Sequence, residues 1–70
     1  LLTTAIPNFF IEYFMLNAKP IFSLIYIYIY KQTVFENEKI SLKDIAEKFN
    51  VQEVDIIDAL VYWQTITIFL

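Results

Sequence analysis

Residues 41–64 constrain the chain most, because two helical patterns meet there at an asparagine. Leu42, Ile45, Ala46 and Phe49 follow the i, i+3, i+4, i+7 spacing of a helix with one apolar face. Ser41, with Asp44 three residues on, forms a capping-box pattern that uses Asp in place of the preferred Glu. Lys43–Glu47 and Asp44–Lys48 are opposite-charge pairs four residues apart on the wet side. Residues 52–64 predict the next helix, with two adjacent apolar rows: Val54, Ile57 and Val61, then Ile56, Leu60 and Trp63. The break between the helices is Asn50-Val51. The chain holds no glycine, and Asn is the best other residue for a left-handed turn. Ala46 is small enough to let the second helix come close, and Ile56 falls where that helix must bury an aliphatic. Two helices across so tight a break predict a helix-turn-helix.

The flanking segments extend that motif. Residues 2–6 read as a short extended strand, and Pro7 suits the first turn of a helix. From Phe9 to Leu16 the sequence is apolar nearly all round, apart from a stripe marked by Asn8 and Glu12. Such a helix must be covered on most sides. Within residues 21–30, the stretch from Ile25 to Tyr30 alternates Ile and Tyr, which by propensity favours a strand. Both residue types are apolar, however, so the alternation defines no polar face. The length of the run, with Lys31 and Gln32 following, predicts a buried helix over residues 21–32. Residues 65–70 are β-branched at Thr65, Ile66, Thr67 and Ile68 and predict a strand. The expected fold class is mainly α: a winged helix-turn-helix with an N-terminal strand-helix extension and a short or incomplete β wing. It forms one domain over residues 1–70, with the extension at 1–18, the helix-turn-helix at 41–64 and the wing strand at 65–70.

Composition sets the chemistry this domain can host. A chain of 70 residues buries only roughly 60% of its unfolded surface, so its stability is marginal. Neither cysteine nor histidine occurs, which removes disulfides, the usual zinc ligands and the usual catalytic base. Yet 59% of residues are hydrophobic and 19% aromatic, more apolar surface than one small core can hide. A segment cut from a larger protein and a self-associating surface both satisfy that surplus, and the two are compatible. The leading Leu1, in place of methionine, fits an excised or processed segment. The longest apolar run, residues 21–30, falls short of the ~20 residues a membrane-spanning helix needs. No basic n-region precedes the N-terminal apolar stretch, so no secretory leader is expected and the expected compartment is the cytoplasm.

The segments 4–10 (Thr-Ala-Ile-Pro-Asn-Phe-Phe), 40–46 (Ile-Ser-Leu-Lys-Asp-Ile-Ala) and 58–63 (Asp-Ala-Leu-Val-Tyr-Trp) carry a wider resemblance. With the aromatic-rich helix between the first two, the chain from about residue 3 to residue 68 resembles the N-terminal domain of DnaD-like DNA replication initiation proteins. The resemblance implies a winged helix with an added N-terminal strand and helix, serving mainly in oligomerisation. It also implies that DNA binding resides chiefly in a separate C-terminal domain. The sequence departs from the family pattern after Trp63: relatives often carry a charged, glycine-containing turn where this chain has Gln64-Thr65-Ile66-Thr67-Ile68.

Two functions then compete. The first is a non-catalytic oligomerisation or protein-interaction domain of a primosome protein, with replication proteins as partners by resemblance. The second is a sequence-specific DNA-binding domain of a transcriptional regulator. A recognition helix offers Arg, Lys, Asn, Gln or Ser to base edges. Residues 52–64 instead hold Glu53, Asp55 and Asp58 and no cation, within a chain of net charge −3. Carboxylates repel phosphates, so the interaction reading ranks first and direct DNA binding by this domain is not expected. If DNA were bound, Gln52, Lys43 and Lys48 would make the contacts. The expected assembly is a homo-oligomer, a dimer or higher, with interface candidates Ile6, Phe9, Phe10, Tyr13, Phe14, Ile66 and Ile68. No catalytic residue, metal, cofactor, small-molecule substrate or membrane span is expected. Glu36 and Glu38 lie in a charged turn that serves solubility. Tyr26, Tyr28, Tyr30 and Tyr62 lack the cationic groove that base stacking needs and are assigned to packing.

Overall fold

The computed structural model describes residues 2–35 and 39–66, and among them the chain is mainly helical. The first helical segment runs from a wide π-type winding at Phe10–Phe14 into a tight 3-10 turn at Met15–Asn17. Asn17 closes it by donating its side-chain amide to the Tyr13 carbonyl at 2.8 Å. Helix α1 is Pro20–Tyr30, and a second wide winding, Lys31–Phe35, continues it. Helix α2 is Leu42–Phe49 and helix α3 is Glu53–Thr65.

Each boundary has a local cause. Lys19 is extended ahead of Pro20, as the proline ring demands of its predecessor. Pro20 then starts α1 at a position whose N–H has no helical partner anyway. Ser41 is extended and accepts the Asp44 N–H on its Oγ at 3.3 Å, which starts α2. Asn50 ends α2 in the left-handed region, at φ 57° and ψ 46°. The N–H groups of Asn50 and Val51 return to the Glu47 and Ala46 carbonyls at 3.2 and 3.0 Å. This is the Schellman pattern usually built on glycine. Val51 packs back on the core, and Gln52 turns the chain into α3.

The Ile/Tyr run of α1 is helical, as its missing polar face predicts. Its inward row is Ile25, Tyr26 and Ile29, completed by Ile45 and Ala46 of α2 and by Ile56, Ala59 and Trp63 of α3. Trp63 is the centre of this core. Its ring lies 4.9 Å from Tyr26 and 5.5 Å from Phe10, and its indole N–H donates to the Phe22 carbonyl at 2.9 Å, tying α3 to α1. Burial pushes the Tyr26 phenol above its ordinary range, and the nearby Tyr30 adds to the effect. Ser23, buried within α1, donates to the Met15 carbonyl at 3.2 Å and so anchors the N-terminal segment.

Two expectations are corrected. No strand occurs among the described residues, so the extension at 2–6 has no ladder partner there. The wing strand does not begin at Thr65, which is the last residue of α3, and Ile66 is a turn. Thr65 donates its hydroxyl to the Val61 carbonyl at 2.8 Å, and Ile66 packs against the core. These contacts outweigh the β propensity of both residues, which is a weak, context-dependent bias. Residues 67–70, which carry the rest of the expected wing, lie outside the described residues.

Candidate interaction surface

The expected interface residues separate into two groups. Phe10 belongs to the core: it is 1% exposed and stacks on Tyr26 with ring centroids 4.4 Å apart. Ile6, Phe14 and Ile66 are half-buried against the same core. Phe9 and Tyr13 face solvent, with Tyr13 64% exposed. Phe9 meets Phe14 edge-on at 5.9 Å, so it rests on a ring that itself leans on the core. Ile68 lies outside the described residues.

Packing adds surface residues that the sequence did not single out. Leu16 is 71% exposed, and Leu24 on α1 is also in solvent. They border an apolar notch of about 380 Å³ whose other walls are Met15, Ala18, Pro20 and Ser23. The notch exists because Ala18 and Pro20 form the bend between the N-terminal segment and α1, where neither side chain is long enough to fill the angle. Phe9, Tyr13 and Leu16 precede it at spacings of four and three residues, so the N-terminal segment carries apolar side chains outward along its length.

The outer face of α3 is the second such surface. Its inner row, Ile56, Ala59 and Trp63 with Leu60 beside it, faces the core. The other row, Val54, Ile57 and Val61, is 52, 43 and 55% exposed. At ~100° per residue these three fall within about 60° of arc. Exposed Glu53 and Gln64 border the row on one side, and exposed Asp58 and Thr65 on the other. The hydrophobic surplus of the composition was the available signal; the helix-turn-helix register placed Ile56 inward but did not say that Val54, Ile57 and Val61 all stay in water.

The residues named for DNA contact are all exposed, but they do not form a basic face. Lys43 and Lys48 lie five positions apart on α2, roughly 140° around the helix. Asp44 and Glu47 accompany them on the same exposed surface. Gln52 stands at the start of α3, where its own backbone N–H donates to the Asp55 carboxylate at 2.9 Å. The N-terminus of α3, which could otherwise attract a phosphate, thus already holds a carboxylate of its own chain, with Glu53 beside it. No group of three or more potential metal-ligating side chains occurs among the described residues, and no described helix is long and apolar enough to cross a membrane.

Compared with known proteins, the chain matches no family model, no curated protein and no solved structure.

Proposed function

We propose that this domain is a non-catalytic assembly module, a winged-helix-like unit that associates with a second copy of itself within a DnaD-like replication-initiation complex. The observation that carries the reading is the exposed apolar set Phe9, Tyr13, Leu16 and Leu24, of which Leu16 and Leu24 line one notch. Burying one such large side chain contributes about 1.5–3 kcal/mol, so leaving four in water favours a cover. A symmetric dimer, in which each copy offers the same patch, is the commonest closed arrangement.

Light scattering on the whole chain tests the proposal. The expected result is a dimer or larger species at tens of micromolar that becomes monomeric in the variant Phe9→Lys with Leu16→Lys, with the helical circular dichroism retained. A folded monomer for the unaltered chain at that concentration would sink the self-association. Phe10 is unsuitable for this test, because a charge there breaks the core rather than the interface. Removing residues 1–6 is likewise a poor probe, since Ile6 packs on the core.

Duplex DNA binding is the second reading, favoured by the tight turn at Asn50 that joins α2 to α3. Fluorescence anisotropy discriminates the two. Sub-micromolar binding that weakens steeply with salt would promote the DNA reading, because non-specific binders reach only ~10⁻⁴–10⁻⁶ M at physiological salt.

A further inference from the structure

We infer that the outer face of α3 docks an amphipathic helix of a partner protein, aliphatic along its contact row and flanked by Lys or Arg. The row Val54, Ile57 and Val61 supplies a ridge about 10 Å long at 1.5 Å per residue, enough for two turns of a partner helix. Its borders select the partner. Glu53 and Asp58 stand on opposite sides of the row, both exposed, and α3 has no cation to neutralise either. An incoming helix therefore meets an aliphatic stripe between two carboxylates, the complement of an apolar row between two cations.

Other occupants fit worse. Nucleic acid and anionic lipid bring the same sign of charge as Glu53 and Asp58. A second copy of α3 is disfavoured by symmetry. In an antiparallel twofold pairing the axis crosses the row at residues 57–58, so Asp58 would approach the Asp58 of the second copy, and in a parallel pairing Glu53 would share a border with the second copy's Asp58. The face shares no residue with the N-terminal notch proposed for self-association, so the two readings stand or fall separately.

The test uses the whole chain and two fluorescein-labelled peptides of about 18 residues, or five helical turns. Both carry leucine at helical i, i+3, i+4, i+7 spacing; one has lysine at the flanking positions and the other glutamate. The lysine peptide is expected to bind about tenfold tighter at low salt, with the gap closing as salt is added. The variant E53K/D58K should invert the preference, and I57S/V61S should abolish binding of either peptide, both with unchanged circular dichroism. The variant Phe9→Lys with Leu16→Lys should dissociate the oligomer yet leave peptide binding intact. Equal affinity for the two peptides, no binding by the folded chain, binding that survives I57S/V61S, or a preference unmoved by E53K/D58K would each overturn the inference.

Discussion

Helices α2 and α3 sit side by side across one tight turn, and their inner faces do the same job while their outer faces differ. Inward, α2 gives Ile45 and Ala46, and α3 gives Ile56, Ala59 and Trp63. Outward, α2 shows Lys43, Asp44, Glu47 and Lys48, whereas α3 shows Val54, Ile57, Asp58 and Val61. Nothing in helix formation requires this contrast, since either set of residues is compatible with a helix. The core fixes what points inward and leaves the outer positions free. A charged outer face is a finished, solvated surface, while an aliphatic one on a small domain is the kind of patch that marks a contact. Of these two helices, α3 and not α2 carries an apolar surface left in water.

The largest effects should come from the inner faces and should be alike in the two helices. Ile45→Ala and Ile56→Ala each remove a fully buried aliphatic side chain, at a cost of about 2–5 kcal/mol. At about 0.05–0.15 kcal/mol of stability per residue, a domain of this size has little to spare, so both variants should be largely unfolded or melt far earlier. Urea denaturation followed by circular dichroism gives the comparison. If one variant kept its stability, that helix would not belong to the shared core and the contrast between outer faces would lose its meaning.

A smaller effect is expected at the turn that sets α3 against α2. Asn50 is the one described residue other than glycine with a positive φ. Asn50→Ala should cost about 1–2 kcal/mol, because a Cβ without a local hydrogen-bonding group is disfavoured there. Asn50→Gly should be nearly neutral. An alanine variant as stable as the original would mean the turn relaxes to another conformation and that the two helices are not held in one fixed relation.

The same comparison explains what was legible in the sequence. Helix α2 could be read almost to the residue, because its charges and aliphatics alternate with a helical period and Asn50 was the obvious stop. The start of α3, its two apolar rows and the burial of Ile56 were legible, but how much of the other row stays in water was not, since Ile56-Leu60-Trp63 and Val54-Ile57-Val61 have the same chemistry. Trp63 decides it, by reaching Phe22, Tyr26 and Phe10 at once. The end of α3 was misread because Thr65 and Ile66 have β propensity, while the hydroxyl bond to Val61 and the packing of Ile66 are tertiary facts. The N-terminal segment was recognisable as helical and in need of cover. Its wide winding at Phe10–Phe14 was not, because a run apolar all round carries no periodic signal. For the same reason Phe10, Phe9 and Tyr13 looked interchangeable as surface residues, although Phe10 is in the core.

The smallest stability effects should occur on the two outer faces, and there the comparison becomes sharpest. Lys43→Ala on α2 and Ile57→Ser on α3 both alter exposed positions. Each should move the unfolding free energy by no more than about 0.5 kcal/mol. What separates them is behaviour short of unfolding. Ile57→Ser replaces the middle of an exposed aliphatic row, so it should raise solubility and reduce binding of a dye that reports exposed apolar surface. Lys43→Ala removes one charge from a mixed-sign face and should change neither. Measuring both variants in parallel, at matched concentration and with melting curves in hand, keeps stability from masquerading as surface chemistry. If Ile57→Ser instead destabilised the fold by several kcal/mol, the Val54, Ile57 and Val61 row would already be covered within the chain, and α3 would be as finished a surface as α2.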